Sequence, residues 1–385
     1  MEFTVNKSDL VRELSLSQGV VEKKTTIPIL SNVLLEVAGD RLTLTATDLE
    51  LGIRCSCPAR VKKEGAGTVP ARKLLDYMRL LPDGDVNMKF LENHWASITS
   101  GRSRTRIAGM SRESFPELPA MPEPIAEVPV KTLASMIART SFAISNEESR
   151  FTLNGALLLM RPEGLTMVAT DGHRLAYVQA SPAESGTSDK PFRALIPKKA
   201  MNELTKLSDD AGADAKAIVA GDDNHLFFQV EHRLLVTRKL TGNFPDYERV
   251  LPKDHQYIAK LEKTEIRSAI ERVAQFADER SRAIRVQFAA GEVRVFSSSV
   301  ETGESEETVS SEYNGPDIEI GFNAQYQLDF LRAIPQDHVA FELKDQKSAG
   351  EMRPAAPDKA AGSAPPAPRR AARPDAGKPA PAIVR

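Results

Sequence analysis

The chain repeats itself, and a long repeat constrains a fold more than any single motif does. Leu42-Thr-Leu-Thr-Ala-Thr-Asp48 matches Leu165-Thr-Met-Val-Ala-Thr-Asp171 at a shift of 123 residues, and Leu30-Ser-Asn-Val-Leu-Leu35 matches Leu153-Asn-Gly-Ala-Leu-Leu158 at the same shift. Ser114-Phe-Pro-Glu117 matches Asn243-Phe-Pro-Asp246 at 129, and a weaker third copy places Val293-Arg-Val-Phe-Ser-Ser-Ser299 where the Ala-Thr-Asp strand falls. Apolar stripes at helical spacing recur in step: Leu10, Leu14 and Val21; then Leu133, Met136 and Ile137; then Ile266, Ile270 and Val273. Ser8, Thr132 and Thr264 stand as capping residues before them. A second helix follows Val69-Pro70, Ile196-Pro197 and Phe322-Asn323, where proline suits a first turn.

A unit of roughly 125 residues exceeds a solenoid repeat and is large enough to bury its own core. The expected organisation is therefore three tandem domains, 1–122, 123–252 and 253–349, followed by a tail at 350–385. Each copy reads helix, strands, helix, strands. The strands are short and alternating, as at 86–91, 95–100 and 103–108, which predicts antiparallel sheets in an α+β fold. The third copy reads as incomplete. After 339–343 and a weak candidate at 349–353, the final hydrophobic strand is missing from the pattern.

Residues 350–385 hold 8 of the 25 prolines and 11 alanines, with 7 Lys/Arg against 3 Asp/Glu. So little apolar surface predicts a disordered basic tail. The whole chain of 385 residues carries 51 Lys+Arg and 53 Asp+Glu, a net charge of −2, which excludes a globally basic nucleic-acid binder but not a local basic strip. No apolar run reaches the ~20 residues of a membrane span, and Met1-Glu2-Phe3-Thr4 does not open a signal peptide. Cys55 and Cys57 are too close along a strand for an unstrained disulfide and too few for a structural zinc site. A reducing cytoplasm is the expected location.

Motifs for chemistry are scarce. There is no Gly-rich phosphate loop, no His-x-x-x-His and no paired-Cys motif, so neither cofactor nor metal is expected. Thr170-Asp171-Gly172-His173-Arg174-Leu175 gathers a hydroxyl, a carboxylate and an imidazole, and a Thr/Asp/His hydrolase is one reading. A strand-end turn is the stronger one, because neighbours in a strand point to opposite faces and Thr47-Asp48 duplicates the pair. No catalytic residue is assigned. Glu301, Glu304, Glu306 and Glu307 lack calcium-loop spacing and read as a solvated loop. Basic residues recur at comparable places: Lys23-Lys24, Arg150, Arg280 and Arg282 after the first helices, Arg72-Lys73 and Lys198-Lys199 at the second. Singly they are solvated helix ends; their recurrence fits sequence-independent attraction to DNA phosphates. No aromatics interleave with them, so stacking on single strands is not indicated.

Four separated motifs then carry a resemblance. Lys-Thr-Thr-Ile-Pro-Ile-Leu-Ser-Asn-Val-Leu-Leu at 24–35, Val168-Ala-Thr-Asp-Gly-His-Arg-Leu175, Asn243-Phe-Pro-Asp-Tyr247 with Arg249-Val-Leu-Pro252, and Ile320-Gly-Phe-Asn323 with Tyr326 are similar to the bacterial DNA polymerase III β sliding-clamp family, from Met1 to about Lys347. The resemblance implies a head-to-tail dimeric ring of six domains that encircles duplex DNA and confers processivity in DNA replication without chemistry of its own. It implies as partners the polymerase III catalytic subunit, the clamp loader, and repair and translesion polymerases, with no membrane. Their peptides would enter a pocket of Leu153, Thr170, Gly172, His173, Arg174, Leu175, Pro245, Arg249, Val250, Asn323 and Tyr326. Lys24, Arg72, Lys73, Arg150, Lys198 and Lys199 would face DNA, and Ile107 and Phe276 would meet across the dimer interface. Such clamps end in a hydrophobic strand and a Met-Pro-Met-Arg-like terminus that walls the pocket. Pro354 onward looks unlike it, so the last sheet and that wall are expected to be altered.

Overall fold

The computed structural model describes residues 1–21, 25–185, 191–252, 254–300, 303–356 and 382–384. One order of elements recurs three times: strand, helix, four strands, helix, three strands. The first copy runs Glu2–Asn6, helix Lys7–Val20, then Asn32–Ala38, Arg41–Thr47, Leu51–Lys63, Gly65–Pro70, helix Ala71–Leu80, then Asp85–Phe90, Trp95–Ser100 and Ser103–Ala108. The second runs Pro124–Pro129, helix Val130–Ala138, Gly155–Arg161, Gly164–Thr170, Arg174–Ala180, Phe192–Pro197, helix Lys198–Asp209, then Lys216–Gly221, His225–Val230 and Arg233–Arg238, with a short extra helix Pro182–Ser185. The third runs Tyr257–Glu262, helix Lys263–Val273, Ala283–Ala289, Glu292–Ser299, Gly303–Ser310, Ile318–Asn323, helix Ala324–Ala333, then His338–Leu343, Gly350–Ala355 and Ala382–Val384.

The third copy is therefore complete, which corrects the expectation of a missing last strand. Gly350–Ala355 pairs antiparallel with His338–Leu343, and Met352 is buried in the third copy's core. A tail beginning at 350 is corrected with it, because these residues belong to a sheet. Ala382–Val384 supplies the final strand, in register with Gly350–Ala355 on one side and Arg174–Ala180 on the other. Three residues carry no readable alternation, and the Pro/Ala-rich stretch before them hides the continuation. Residues 357–381, on which the disorder expectation rests, lie outside the described residues.

The chain divides into two compact units, one containing Met1–Ala134 and Ile196–Leu240, the other Ser135–Ser185, Pro191–Leu195 and Thr241–Arg385. This division cuts through the second copy. Its cause is backbone pairing across copy boundaries within each unit. In the first, Leu51–Lys63 pairs with Arg233–Arg238, Leu51 opposite Thr237, so strands of two copies form one twelve-stranded sheet. In the second, Ala382–Val384 joins an eight-stranded sheet, beside a separate four-stranded sheet ordered Gly303–Ser310, Glu292–Ser299, Ala283–Ala289, Ile318–Asn323.

Patterning explains the elements. Val86 and Met88 alternate inward along Asp85–Phe90, whereas Gly155–Arg161 and Gly164–Thr170 are apolar on both faces and buried on both. The helices start directly from strands. Asn6, not Ser8, caps Lys7–Val20, accepting from Ser8 N at 2.9 Å, and Glu262, not Thr264, caps Lys263–Val273. Both caps sit before the predicted ones, because the chain leaves the β conformation only at the cap.

Within the first unit an ion pair is buried where the copies join. Arg233, from the second copy's last strand, donates to Glu13 on helix Lys7–Val20 through Nε at 2.9 Å and Nη2 at 2.6 Å, and also pairs with Asp210. Arg233 and Glu13 are 1% and 2% exposed. Removing one partner leaves the other charge without compensation in a dry site, whereas replacing both with apolar groups costs little. Arg233→Ala is expected to destabilise this unit by about 3–5 kcal/mol, read as a lower first transition in denaturant unfolding. The double change Glu13→Leu with Arg233→Leu is expected to recover most of the loss.

Candidate functional site

The motif at 170–175 folds as a turn between Gly164–Thr170 and Arg174–Ala180. Thr170 Oγ1 donates to Arg174 O at 2.6 Å and accepts from Gly172 N at 3.1 Å. Asp171 Oδ1 accepts from His173 N and Arg174 N at 2.9 and 3.0 Å. The first copy builds the same turn. Thr47 Oγ1 donates to Leu51 O and accepts from Leu49 N, and Asp48 Oδ1 accepts from Glu50 N and Leu51 N. Position three is left-handed in both, Gly172 at φ +88° and Leu49 at φ +78°. Glycine suits the left-handed position in the second copy and leaves room for Arg150, whose Nη1 would lie 2.9 Å from a Cβ at Gly172 and would have to shift. The Thr-Asp pair is a turn clasp used twice. Asp171 spends Oδ1 on backbone amides and Oδ2 on Arg174, and among the described residues no hydrogen bond joins the His173 ring to Asp171 or Thr170. The motif's carboxylate and hydroxyl are spent on the turn.

Arg174 organises the second unit around this turn. Its side chain, 10% exposed, donates through Nε to Asp171 Oδ2 at 3.1 Å, through Nη1 to Asp329 Oδ2 at 2.6 Å and through Nη2 to Phe142 O at 2.6 Å. Its guanidinium lies 4.3 Å from the Tyr326 ring centroid and 5.4 Å from that of Phe142. A planar fork satisfies all of these at once, which an ammonium cannot. Asn323 caps helix Ala324–Ala333, its Oδ1 accepting from Gln325 N and Tyr326 N and its Nδ2 donating to Ser281 O at 3.2 Å. Burial pushes the Tyr326 phenol above its ordinary pKa.

The structure thus brings Thr170, Gly172, His173, Arg174, Asn323 and Tyr326 into one constellation that joins the second and third copies. Arg174 and Asn323, expected among the pocket residues, make hydrogen bonds that hold the site together. His173 is exposed beside them, and Leu153 and Leu175 are buried beneath. Pro245, Arg249 and Val250 lie on the exposed segment after buried Phe244. Two contacts hold that segment near the turn: the Tyr247 ring against Tyr177, centroids 5.9 Å apart, and Gly242 at φ +106°, where a Cβ would meet Thr152. Val250 is 48% exposed, and with Arg249 it borders a groove of about 650 Å³ that continues over Pro252, His255, Lys344 and Lys347. The final strand runs beside the turn, Val384 opposite Arg174 and Ile383 opposite Leu175.

The basic positions are less uniform than their recurrence suggests. Arg72 and Lys73 are exposed on helix Ala71–Leu80, with Arg72 3.9 Å from Asp76. Lys199 is held by Val20 O and Asp48, Lys198 is half-buried, and Arg150 is drawn to Glu147 and Asp171 O. Lys24 lies outside the described residues.

Ile107 is buried in Ser103–Ala108, an end strand of the twelve-stranded sheet, and Phe276 is half-buried after helix Lys263–Val273. Sequence reasoning missed what surrounds them. Ser103–Ala108 points Arg104 and Arg106 outward. Residues 303–310, expected as part of a solvated loop, form the end strand of the four-stranded sheet, with Glu304 and Glu306 outward. Alternating charge at i and i+2 was the available signal, a device of exposed sheet edges. Arg272 hydrogen-bonds Glu307 and holds its carboxyl below the ordinary range.

Comparison with known proteins agrees in sequence and in fold. Family models for the N-terminal, central and C-terminal domains of the DNA polymerase III beta subunit match residues 1–119, 127–246 and 248–363. A beta sliding clamp of Pseudomonas putida is 36% identical over 366 residues, covering 93% of this chain and 97% of that protein. One of Chlamydia pneumoniae is 33% identical over 353 residues, covering 91% and 94%. The crystal structure of a DNA polymerase sliding clamp from Pseudomonas aeruginosa superposes with a TM-score of 0.86 at 32% identity, covering 100% of this chain and 98% of that one. A griselimycin-bound sliding clamp from the same organism gives 0.88 at 34%, covering 93% and 96%.

If Arg174 is scaffold and not ligand contact, Arg174→Lys behaves almost as badly as Arg174→Ala. Both are expected to destabilise the second unit by about 2–4 kcal/mol, because Asp171 and Asp329 lose a fork-shaped partner. Unfolding monitored by hydrogen exchange at residues 170–175 and 323–329 reads this.

Proposed function

Since the chain belongs to the DNA polymerase III beta-subunit family and is a DNA sliding clamp, we propose that two copies close head to tail around duplex DNA and tether the replicative polymerase. The observation that carries the ring is the pair of sheet edges of opposite charge. Among the described residues, Ser103–Ala108 offers unpaired backbone groups flanked by Arg104 and Arg106, and Gly303–Ser310 offers the same flanked by Glu304 and Glu306. An edge pairing with its own kind would place like charges opposite each other, which destabilises a ladder; unlike edges match. A heterologous contact of this kind either closes or grows into a filament, and closure gives a ring. Ile107 and Phe276 sit beside these edges as the apolar part of the contact.

Enclosure needs no tight grip. Weak, screened attraction from exposed groups such as Arg72 and Lys73 permits sliding, whereas many phosphate contacts would stall it. Proteins that share the clamp dock by a short peptide on the second unit, where exposed His173 and Val250 and the groove beyond Arg249 face solvent around a rigid turn. The clamp loader and repair and translesion polymerases belong to the same reading. No helix among the described residues is long and apolar enough to cross a membrane.

The clamp loaded onto a nicked circular plasmid is expected to co-migrate with it through a sizing column and to be lost once the circle is linearised. Equal retention on both forms would overturn the topological mechanism. Arg104→Glu with Arg106→Glu is expected to weaken self-association by at least about tenfold, and a partner copy bearing Glu304→Arg with Glu306→Arg is expected to restore it, as read by analytical ultracentrifugation.

A further inference from the structure

A cluster of ligating groups lies in the second unit, outside the Thr-Asp turn, with one member, His255, on the groove bordered by Arg249. His255, on the segment after Pro252, places Nδ1 3.1 Å from Glu342 Oε2 and 3.4 Å from Glu351 Oε2. Glu342 comes from His338–Leu343 and Glu351 from the paired strand Gly350–Ala355, directly opposite it in register. Side-chain exposure is 9% for His255, 19% for Glu342 and 1% for Glu351. The three ligand atoms all fall within 4.8 Å of one another.

Two carboxylates side by side, Glu351 buried and Glu342 partly so, repel each other unless a cation or a proton lies between them. Arg353 supplies part of that positive charge, with Nη2 2.6 Å from Glu351 Oε1 and Nε 3.2 Å from Glu342 Oε2. Its N–H bonds are not aimed at these oxygens: Arg353 Nε and Glu351 Oε1 are both buried without a hydrogen-bond partner, as is His255 Nε2. The carboxylate is therefore close to positive charge but short of a directed partner.

The spacing suits a small ion. Ligand bonds of about 2.0–2.1 Å in a tetrahedron put neighbouring ligand atoms about 3.3 Å apart, close to the separation of the imidazole nitrogen from both oxygens. One nitrogen and two carboxylate oxygens favour a borderline transition metal over Mg²⁺, which prefers an octahedron of oxygens and keeps its waters. His255 also lines the groove with Asp254 and Lys344, so the cluster adjoins the groove on its His255 side.

We propose that His255, Glu342 and Glu351 bind one divalent zinc-class cation, with Arg353 as the outer partner of both carboxylates. The ion ties the segment leading from Val250 to the two strands His338–Leu343 and Gly350–Ala355, and so stiffens one rim of the groove.

The full chain, stripped with EDTA and dialysed against Zn²⁺, is expected to retain one zinc per chain and to melt at a higher temperature, with Mg²⁺ doing neither. Glu351→Gln and His255→Ala are each expected to weaken zinc retention by at least about tenfold while leaving circular dichroism unchanged. Anomalous scattering from crystals of the unaltered protein grown with zinc needs no variant and locates the ion directly. A peak among the three side chains supports the site. Zinc retained equally by both variants, a peak elsewhere, or no zinc retained by the unaltered chain overturns it.

Discussion

Backbone pairing across the boundaries between copies is the constraint on which the structure depends. A domain with an open sheet leaves a row of unsatisfied amides and carbonyls at its edge. Here the first copy spends that edge on the second through Leu51–Lys63 and Arg233–Arg238, and the second spends its other edge on the third through Arg174–Ala180 and Ala382–Val384. Each junction is then fixed by an arginine beside the ladder, Arg233 in the first unit and Arg174 in the second. Both reach carboxylates of a neighbouring copy from a place where water is scarce.

The Thr-Asp turn shows how one local solution serves two purposes after duplication. In the first copy Asp48 holds the turn with Oδ1 and pairs with Lys199 of the second copy; in the second copy Asp171 holds the same turn and pairs with Arg174. The clasp is inherited, while the outward half of the carboxylate is adapted to each junction. The exposed residue at the tip, Glu50 in one and His173 in the other, is left for solvent or a ligand.

Much of this was legible beforehand. The threefold repeat, the paired helices starting at Pro70, Pro197 and Asn323, and antiparallel sheets all follow from local pattern, because apolar periodicity and turn chemistry act over a few residues. The turn reading of Asp171 was legible from Asp48 alone. Three things were not. The strand Ala382–Val384 is too short to show alternation and stands after a Pro/Ala-rich stretch. Gly350–Ala355 carries Glu351, Arg353 and Pro354, so it read only as a weak strand candidate at 349–353 running into the tail, until Glu342 and His255 are seen beside it. Residues 303–310 looked like a run of acids because their partners, Arg272 and Arg294, lie on other elements.

The sequence by itself determined that the chain holds three like modules of helices and short antiparallel strands, and which residues form each apolar face, since those depend on neighbours within a turn or a pleat. Only the tertiary structure decided that two compact units cut through the second module, that Arg174 and Asn323 hydrogen-bond to groups distant in the chain, and that two end strands carry opposite charge. These depend on which distant strands meet and which charges lose their water, and a linear pattern carries neither.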